Sequence, residues 1–386
     1  MDLAYKDDKQ SPDLAVVGGG VIGLAIAWRA AQAGMKVTLF ERGELGGEAS
    51  NVAAGMLAPV AEASLAEQEI LALGRQSAAL WPEFARQLSA SCGLDSSFQE
   101  CGTLMVATDR DQAVALDREF ELRQSLSLPV QRLRPSQARQ LEPGLAPSIH
   151  AALNIPGDHT VDPRALTAAL SAAAADAGAK LASRTAVAGL LGSANAITGV
   201  RLASGEEVSA GAVVVAAGSW SDQLEGIPTP AKIPVRPVKG QILRLRDPAG
   251  PGLATRVLRT DEVYVVPRGD GRYVVGATME ELGFDTTVTA GAVYELLRAA
   301  AELLPGVWEL ELQEASAGLR PSTPDNAPVI GPSLVPGLHW ATGHHRNGIL
   351  LAPITADLLL AALQSGELAD SASAFTAKRF ASRVLA

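Results

Sequence analysis

The run Gly18-Gly19-Gly20-Val21-Ile22-Gly23 lies between two short apolar segments, Leu14-Ala15-Val16-Val17 and Val37-Thr38-Leu39-Phe40, and the second of these ends at Glu41. A strand, a glycine turn, a helical stretch over residues 24–33 and a second strand closed by an acid is the order of a dinucleotide-binding βαβ unit. The spacing gives each glycine a task. Gly18 makes the tight turn, Gly20 lets the backbone approach a pyrophosphate, and Gly23 lets helix and sheet pack closely. A helix N-terminus offers unpaired N–H groups to phosphate, and an acid at position 41 can accept both ribose hydroxyls. An acid there also disfavours a 2′-phosphate, which leaves FAD or NAD rather than NADP. Glycine clusters alone mark ordinary turns. The flanking strands and the acid at the right distance are what separate this one from them.

At 386 residues with 47% hydrophobic composition, the chain can build two domains around a sizeable core. It contains no run of about 18 uninterrupted apolar residues, and residues 1–12 are polar and charged. They read as a flexible tail, with no signal peptide or membrane partner expected. The net charge of −10 comes without a basic cluster interleaved with aromatics, which argues against a nucleic-acid partner. The two cysteines, Cys92 and Cys101, exclude a disulfide framework and a four-cysteine zinc site. A reduced, cytoplasmic setting is the default, and no metal is expected. With no cysteine beyond position 101 to tether a flavin, any flavin is expected to be non-covalent.

Further along, residues 46–56 are small. They allow close approach either to a ligand or to a neighbouring backbone. Helical patterns cover 65–88 and 111–126, and a proline-containing segment fills 128–147. Asp162-Pro163-Arg164 has the form of an N-cap with proline at the first helical position, opening an alanine-rich helix that Gly178 stops. A strand is expected over 180–187, then a hairpin of 199–203 and 207–217. The end of the latter, at Gly218-Ser219-Trp220-Ser221, is a strand-to-loop junction of the kind where open α/β sheets bind ligands. Residues 234–278 alternate in a β pattern and suggest an antiparallel sheet in a separate substrate-facing unit. A helix follows over 292–304, then a turn-rich loop from Gly318 to Pro332, and the glycine-bounded segment Gly343-His344-His345-Arg346-Asn347-Gly348 opening a helix over 349–363.

Four separated segments together resemble the D-amino-acid oxidase family of flavoproteins. They are residues 18–41, SNVAAGMLAP at 50–59, YVVPR with VVGATM at 264–268 and 274–279, and AGLRPSTPDNAPVIGP with GHHRNGILLAP at 317–332 and 343–353. The resemblance implies an α/β fold: a Rossmann-like FAD-binding domain (residues 13–60, 145–230 and 315–386) with an inserted antiparallel-sheet substrate domain (61–144 and 231–314). It implies FAD contacts at Val21, Ile22, Glu41, Arg42, Ala49, Ser50, Ala54, Gly55, Met56 and Val187. The loop His344, His345, Arg346, Asn347, Gly348, Ile349 and Leu350 would lie against the isoalloxazine, and Arg320, Arg346 and Tyr264 would form the substrate site. His345 stands where relatives often carry Phe or Tyr.

The implied activity is oxidative deamination of glycine or small D- or N-methyl amino acids, with oxygen as acceptor, feeding thiazole assembly in thiamine synthesis. A homotetramer is also implied. A dehydrogenase passing electrons to a quinone or partner subunit, a sarcosine-type N-methyl amine oxidase, and a non-catalytic flavin scaffold remain open alternatives. In chemical terms, a guanidinium at position 320 can grip a carboxylate through two parallel donors, and a tyrosine hydroxyl can add a third bond. Glu262, two residues before Tyr264, is expected to place a negative charge near the entrance. His344 and His345 at a helix start read as structural rather than as proton acceptors.

Overall fold

The computed structural model describes residues 11–383. Residues 1–10 of the expected tail lie outside the described residues, but Pro12 is buried and its carbonyl accepts from Gly211 N. Part of the segment expected to be loose is therefore packed.

The βαβ unit forms as the sequence predicts: β1 (Leu14–Val17), α1 (Val21–Gln32) and β2 (Val37–Phe40). Both strands are buried along their whole length, because both faces of the sheet are covered. Leu14, Val16 and Leu39 turn towards a core with α1, while Ala15, Val17 and Phe40 turn into a second core on the opposite face. Six strands make this sheet, with β12 (Ala212–Val215) and β19 (Leu338–Thr342) on one side of β1, and β8 (Lys180–Ala182) beyond β2. All pair in parallel except β18 (Val329–Pro332), which closes the edge against β19 in antiparallel sense.

Helix α1 is apolar nearly all round, and ten of its twelve residues are buried. Its neighbours are α6 (Pro163–Asp176), α3 (Gln68–Cys92) and α8 (Gly348–Ser365). The Asp162 carboxylate caps α6 by accepting from Arg164 N at 3.0 Å. Pro353 interrupts the hydrogen-bond ladder near the start of α8. There the Leu350 carbonyl accepts from Ser77 Oγ at 2.6 Å and Trp81 Nε1 at 2.9 Å of α3, which pins the head of α8 in place. By length and composition, the stretch His345–Ser365 could cross a membrane, but 56% of its apolar window is buried inside the protein, as in a core helix.

The second large sheet has eight strands, in the order β17 (Glu311–Ser322), β13 (Arg236–Arg246), β16 (Arg272–Gly276), β15 (Tyr264–Pro267), β14 (Val257–Arg259), β4 (Thr103–Ala107), β6 (Ala151–Ile155) and β5 (Gln131–Leu133). It is antiparallel except where β14 meets β4. Helix α7 (Ala290–Leu303) packs on β13 and β16, and α4 (Arg110–Ser125) on β4 and β6. Two small sheets complete the fold: β9 (Val187–Gly192), β10 (Ile197–Leu202) and β11 (Glu207–Ser209), and the pair β3 (Met56–Leu57) and β7 (His159–Thr160).

Several expectations need correcting. The strand over 180–187 breaks into β8 and β9, because Arg184 takes a left-handed conformation (φ 51°) and Thr185 N turns back to donate to the Glu41 carbonyl. The second arm of the hairpin also divides, into β11 and then β12, which leaves the hairpin for the parallel sheet. Residues 128–147 hold β5 and a helix, α5 (Pro135–Leu141). Arg320 lies on β17, paired with Val238 of β13, and not in a loop. Three elements depart from the expected division of the chain, the first being β17, whose residues 315–322 pair with β13 in the eight-stranded sheet. β6 pairs within the eight-stranded sheet, and α3 packs its Trp81, Phe84 and Leu88 into the core beside α1.

Candidate active site

A cleft with about 1460 Å³ of atom-free space, its open mouth included, runs from the β1–α1 turn to the start of α8. At one end stand the glycines. A Cβ at Gly18 would lie 2.4 Å from the Ala216 carbonyl, and one at Gly23 would lie 1.9 Å from the Gly18 carbonyl, so neither position admits a side chain. Gly20, by contrast, faces open space, where an added Cβ would meet only Ser50 Oγ at 3.3 Å. Gly23 does not line the cleft. It holds the helix against the strand, while Gly18 and Gly20 form the wall.

Glu41 is buried at the end of β2. Its carboxylate accepts from Gly19 N at 2.7 Å and Gly43 N at 2.8 Å, which fixes the acid at the cleft wall and leaves each oxygen with capacity to accept a further bond. Ser50 Oγ accepts from Val21 N at 3.0 Å and ties the short helix α2 (Ala49–Val52) to the head of α1. Arg42 pairs with Glu48 and stacks over Trp220, its guanidinium 3.7 Å from the ring centre. Val187 lines the cleft beside Ala186 and Ala188.

This cradle fits FAD. It has a helix N-terminus whose N-cap, Gly20, adds no side chain and of which Ser50 takes the Val21 N–H, a glycine with room for close approach to phosphate, a fixed acid for ribose, and an apolar continuation towards α8. Neither Cys92 nor Cys101 lines it, and burial pushes the Cys101 thiol up.

At the far end, His344, His345, Arg346, Gly348 and Ile349 line the cleft. His344 is buried, its Nε2 3.0 Å from Thr355 Oγ1, and burial lowers its pKa to about 3. His345 is held at about 4 by burial and by the nearby Arg346 and Arg320 charges. Both imidazoles are neutral at pH 7. His345 also has a left-handed backbone (φ 48°), a conformation that costs a non-glycine residue about 1 kcal/mol or more and concentrates at working sites. Asn347 and Leu350 face a small adjoining pocket instead. Residues 54–56 also stand back from the cleft, which reaches that loop through Ala49, Ser50 and Ala53. Ala54 and Met56 pack with Tyr264 in a small apolar cluster. The carbonyl of Ala54 accepts from the buried Arg268 at 2.7 Å, and that of Gly55 from Thr160 Oγ1 at 3.0 Å.

The two arginines differ in their surroundings. Arg320 donates from Nη1 to the carbonyls of Thr278 at 3.1 Å and Lys239 at 3.3 Å, and among the described residues no carboxylate forms an ion pair with it. It lies across Gly240, where a Cβ would come within 2.3 Å of the guanidinium. Tyr264 is half-buried beside it, and burial raises the phenol pKa, which keeps the hydroxyl protonated as a donor. Arg346 is instead held by two acids, with Nε 3.2 Å from Glu62 and Nη2 on Glu67. Glu62 also pairs with Arg259 at 3.0 Å, and Glu67 accepts from Asn326 Nδ2 at 3.1 Å. Glu262 is exposed, pairs with Arg298 at 3.3 Å and does not line the cleft; the acids that reach the site do so through Arg346, and they are Glu62 and Glu67 of the small adjoining pocket.

Those two acids, together with Trp220 and Thr342, were not singled out as site residues by sequence reasoning. A signal existed for Glu62 and Glu67, which follow SNVAAGMLAP within eight residues, and for Trp220, in the strand-to-loop junction already noted. Thr342 carried none. It is found through Ser221, whose Oγ donates to Thr342 Oγ1 at 2.8 Å.

Residues 13–362 match the family described as DAO, FAD dependent oxidoreductase. The chain is 37% identical over 374 residues to a glycine oxidase of Geobacillus kaustophilus, covering 96% of this chain and 98% of that protein. It is also 37% identical over 349 residues to the bifunctional protein ThiO/ThiG of Trichormus variabilis, of which it spans 52%. The crystal structure of a glycine oxidase from Geobacillus kaustophilus superposes with a TM-score of 0.87 at 36% identity, covering 95% of this chain and 98% of that one.

Proposed function

We infer from the FAD dependent oxidoreductase (DAO) family, to which the chain belongs, that this protein oxidises glycine and small D- or N-methyl amino acids to the imine, which water hydrolyses to the 2-oxo acid and ammonia, or methylamine where the substrate is N-methylated. The observation that carries this reading is Arg320: a guanidinium at the cleft wall, braced by two backbone carbonyls and free of any carboxylate among the described residues. A cation placed there at the cost of burial is matched by the carboxylate of a bound substrate. When bound, FAD supplies the two-electron acceptor and hands the electrons on to oxygen, giving hydrogen peroxide.

The protein's own groups orient and select. Arg320 grips the substrate carboxylate, and the protonated Tyr264 hydroxyl donates a further bond, fixing the direction of the Cα–H; a misplacement of about 1 Å costs about 10²-fold in rate. Neutral His345 adds a polar but uncharged wall. The single unmatched positive charge favours the anionic form of an amino acid, whose amine is uncharged and whose nitrogen lone pair assists departure of the hydride. A side-chain base is therefore not required.

The FAD-contact residues assigned above, Gly18 to Gly23, Glu41, Arg42, Ala49, Ser50 and Val187, belong to this reading, with residues 54–56 acting through packing behind Tyr264. So do the use of the imine in thiamine thiazole synthesis, a cytoplasmic site of action and a homotetrameric assembly. The test is the visible spectrum of the flavoprotein, recorded without oxygen before and after addition of glycine. Bleaching, followed by peroxide formation on readmitting air, is the expected result. A spectrum unchanged by glycine, sarcosine, D-alanine and D-proline would overturn the proposal.

A further inference from the structure

The second arginine of the site is occupied by the protein itself. Arg346 contacts Glu62 through Nε and Glu67 through Nη2, and its Nη1 lies 3.5 Å from Glu67 and 3.4 Å from His345 Nδ1. The charged groups acting on His345, which lines the cleft, and on Tyr264, which packs beside Arg320 without lining it, are Arg320, Arg259, Arg346, Arg236, Glu62 and Glu67. Arg259 and Arg346 are answered by Glu62 and Glu67, and Arg236 pairs with Glu281 at 3.1 Å. Arg320 alone is left over. His345, Arg346 and Arg320 line the same cleft, and Arg346 also borders the small pocket that holds Glu62 and Glu67. The acids therefore hold Arg346 from the side away from the substrate.

Building on the reading of Arg320 as the carboxylate anchor, we propose that Glu62 and Glu67 set the substrate class. By engaging Arg346 they leave the cleft one carboxylate-binding cation, so it takes monocarboxylic amino acids and turns away amino dicarboxylates. Neutralising either acid frees an arm of Arg346 and leaves two unmatched positive charges, the count that suits a substrate such as iminodiacetate. The three fully polar side chains in this arrangement, Glu62, Glu67 and Arg346, are each mostly buried, with 15–26% of their side-chain surface exposed, so solvent does not screen the change away.

The experiment compares Glu67→Gln and Glu62→Gln with the parent protein, using acetate and malonate as substrate-like ligands that cannot be oxidised. Their affinities are read by calorimetry, which requires neither turnover nor bound flavin. The ratio of malonate to acetate affinity rises about tenfold in each Gln variant, the scale of one added unit charge at this range. It stays at the parent value in Glu67→Asp, which keeps the charge. In flavin-loaded variants, kcat/KM for iminodiacetate rises relative to that for glycine. A malonate to acetate ratio unchanged in both Gln variants would overturn the proposal, as would an equal rise in Glu67→Asp, which would mean loosened packing rather than charge. A parent protein inert towards every small amino acid would instead defeat the proposed function and leave the ligand-affinity result standing on its own.

Discussion

The two ends of the cleft are built in opposite ways. The nucleotide end is built mainly from one stretch, residues 18–41, in which a turn, a helix start and a strand end meet because they are neighbours in sequence, with Ser50, Val187 and Trp220 brought to it from elsewhere. Its main electrostatic element, Glu41, is satisfied locally by Gly19 N and Gly43 N. The substrate end draws on β17 for Arg320, β15 for Tyr264, the short 3-10 turn that leads into α8 for Arg346, and the segment before α3 for Glu62 and Glu67. Arg346 and Glu62 are 284 positions apart. A locally encoded site tolerates change elsewhere in the fold, whereas a site assembled from distant segments can be retuned at any one of them.

Substitutions that separate the two ends test this contrast. The largest expected effect is at Arg320. Arg320→Ala lowers kcat/KM for glycine by about 10³-fold, the scale for removing one partner of a desolvated charge pair. Flavin content is unchanged, and loss of flavin instead would merge the two ends into one unit. Next is Gly23→Ala, whose new Cβ is forced against the Gly18 carbonyl. We expect about 3 kcal/mol of destabilisation in chemical denaturation, because helix and strand must separate. A variant of parental stability would mean that the turn is softer than its geometry implies.

Glu41→Ala removes the acceptor of two backbone N–H groups and, on the proposed function, of the ribose. FAD affinity is expected to fall by about 2 kcal/mol, with kcat at saturating FAD unchanged. A large loss of kcat would show that the nucleotide end is coupled to the chemistry.

The smallest effect is a pH dependence shared by neither end. His339 on β19 has its pKa lowered to about 4 by burial. Because the folded value lies below the unfolded one of about 6.5, the contribution to stability is complete above pH 6.5 and is lost as pH falls towards 4. Replacing it as His339→Gln removes about 1 kcal/mol of the stability lost between pH 7 and 5.5, read as a shallower fall of Tm. His344 and His345 are shifted in the same direction, while Asp158, raised to about 7 by burial, opposes them, gaining stability as pH falls from 7 towards 3.8. The variant is therefore compared with the parent rather than with a flat line.

Residues 14–41 were legible because each of their jobs is local: apolar runs for buried strands, glycines where no Cβ fits, an acid at a strand end. The cap at Asp162 and the helices at 65–88, 111–126 and 292–304 were legible for the same reason. Arg320 was expected to be a site residue and was placed in a loop, because Gly318 and Pro321 are turn residues. In the fold, Pro321 sits near the end of an edge strand, where proline is tolerated, and Gly318 packs against Val52 in a space that a Cβ would fill. Strand composition was overruled by a neighbour.

The sequence by itself determined a dinucleotide cradle at the N-terminus, a second sheet of alternating strands, and a set of arginines and a tyrosine suited to an amino acid carboxylate. Only the tertiary structure decided which arginine is available. Arg320 and Arg346 are the same residue type in equally glycine-rich surroundings, and nothing local distinguishes them. The difference is made by Glu62 and Glu67, which the fold brings against one guanidinium and not the other, and a charge is defined as much by its partner across space as by its place in the chain.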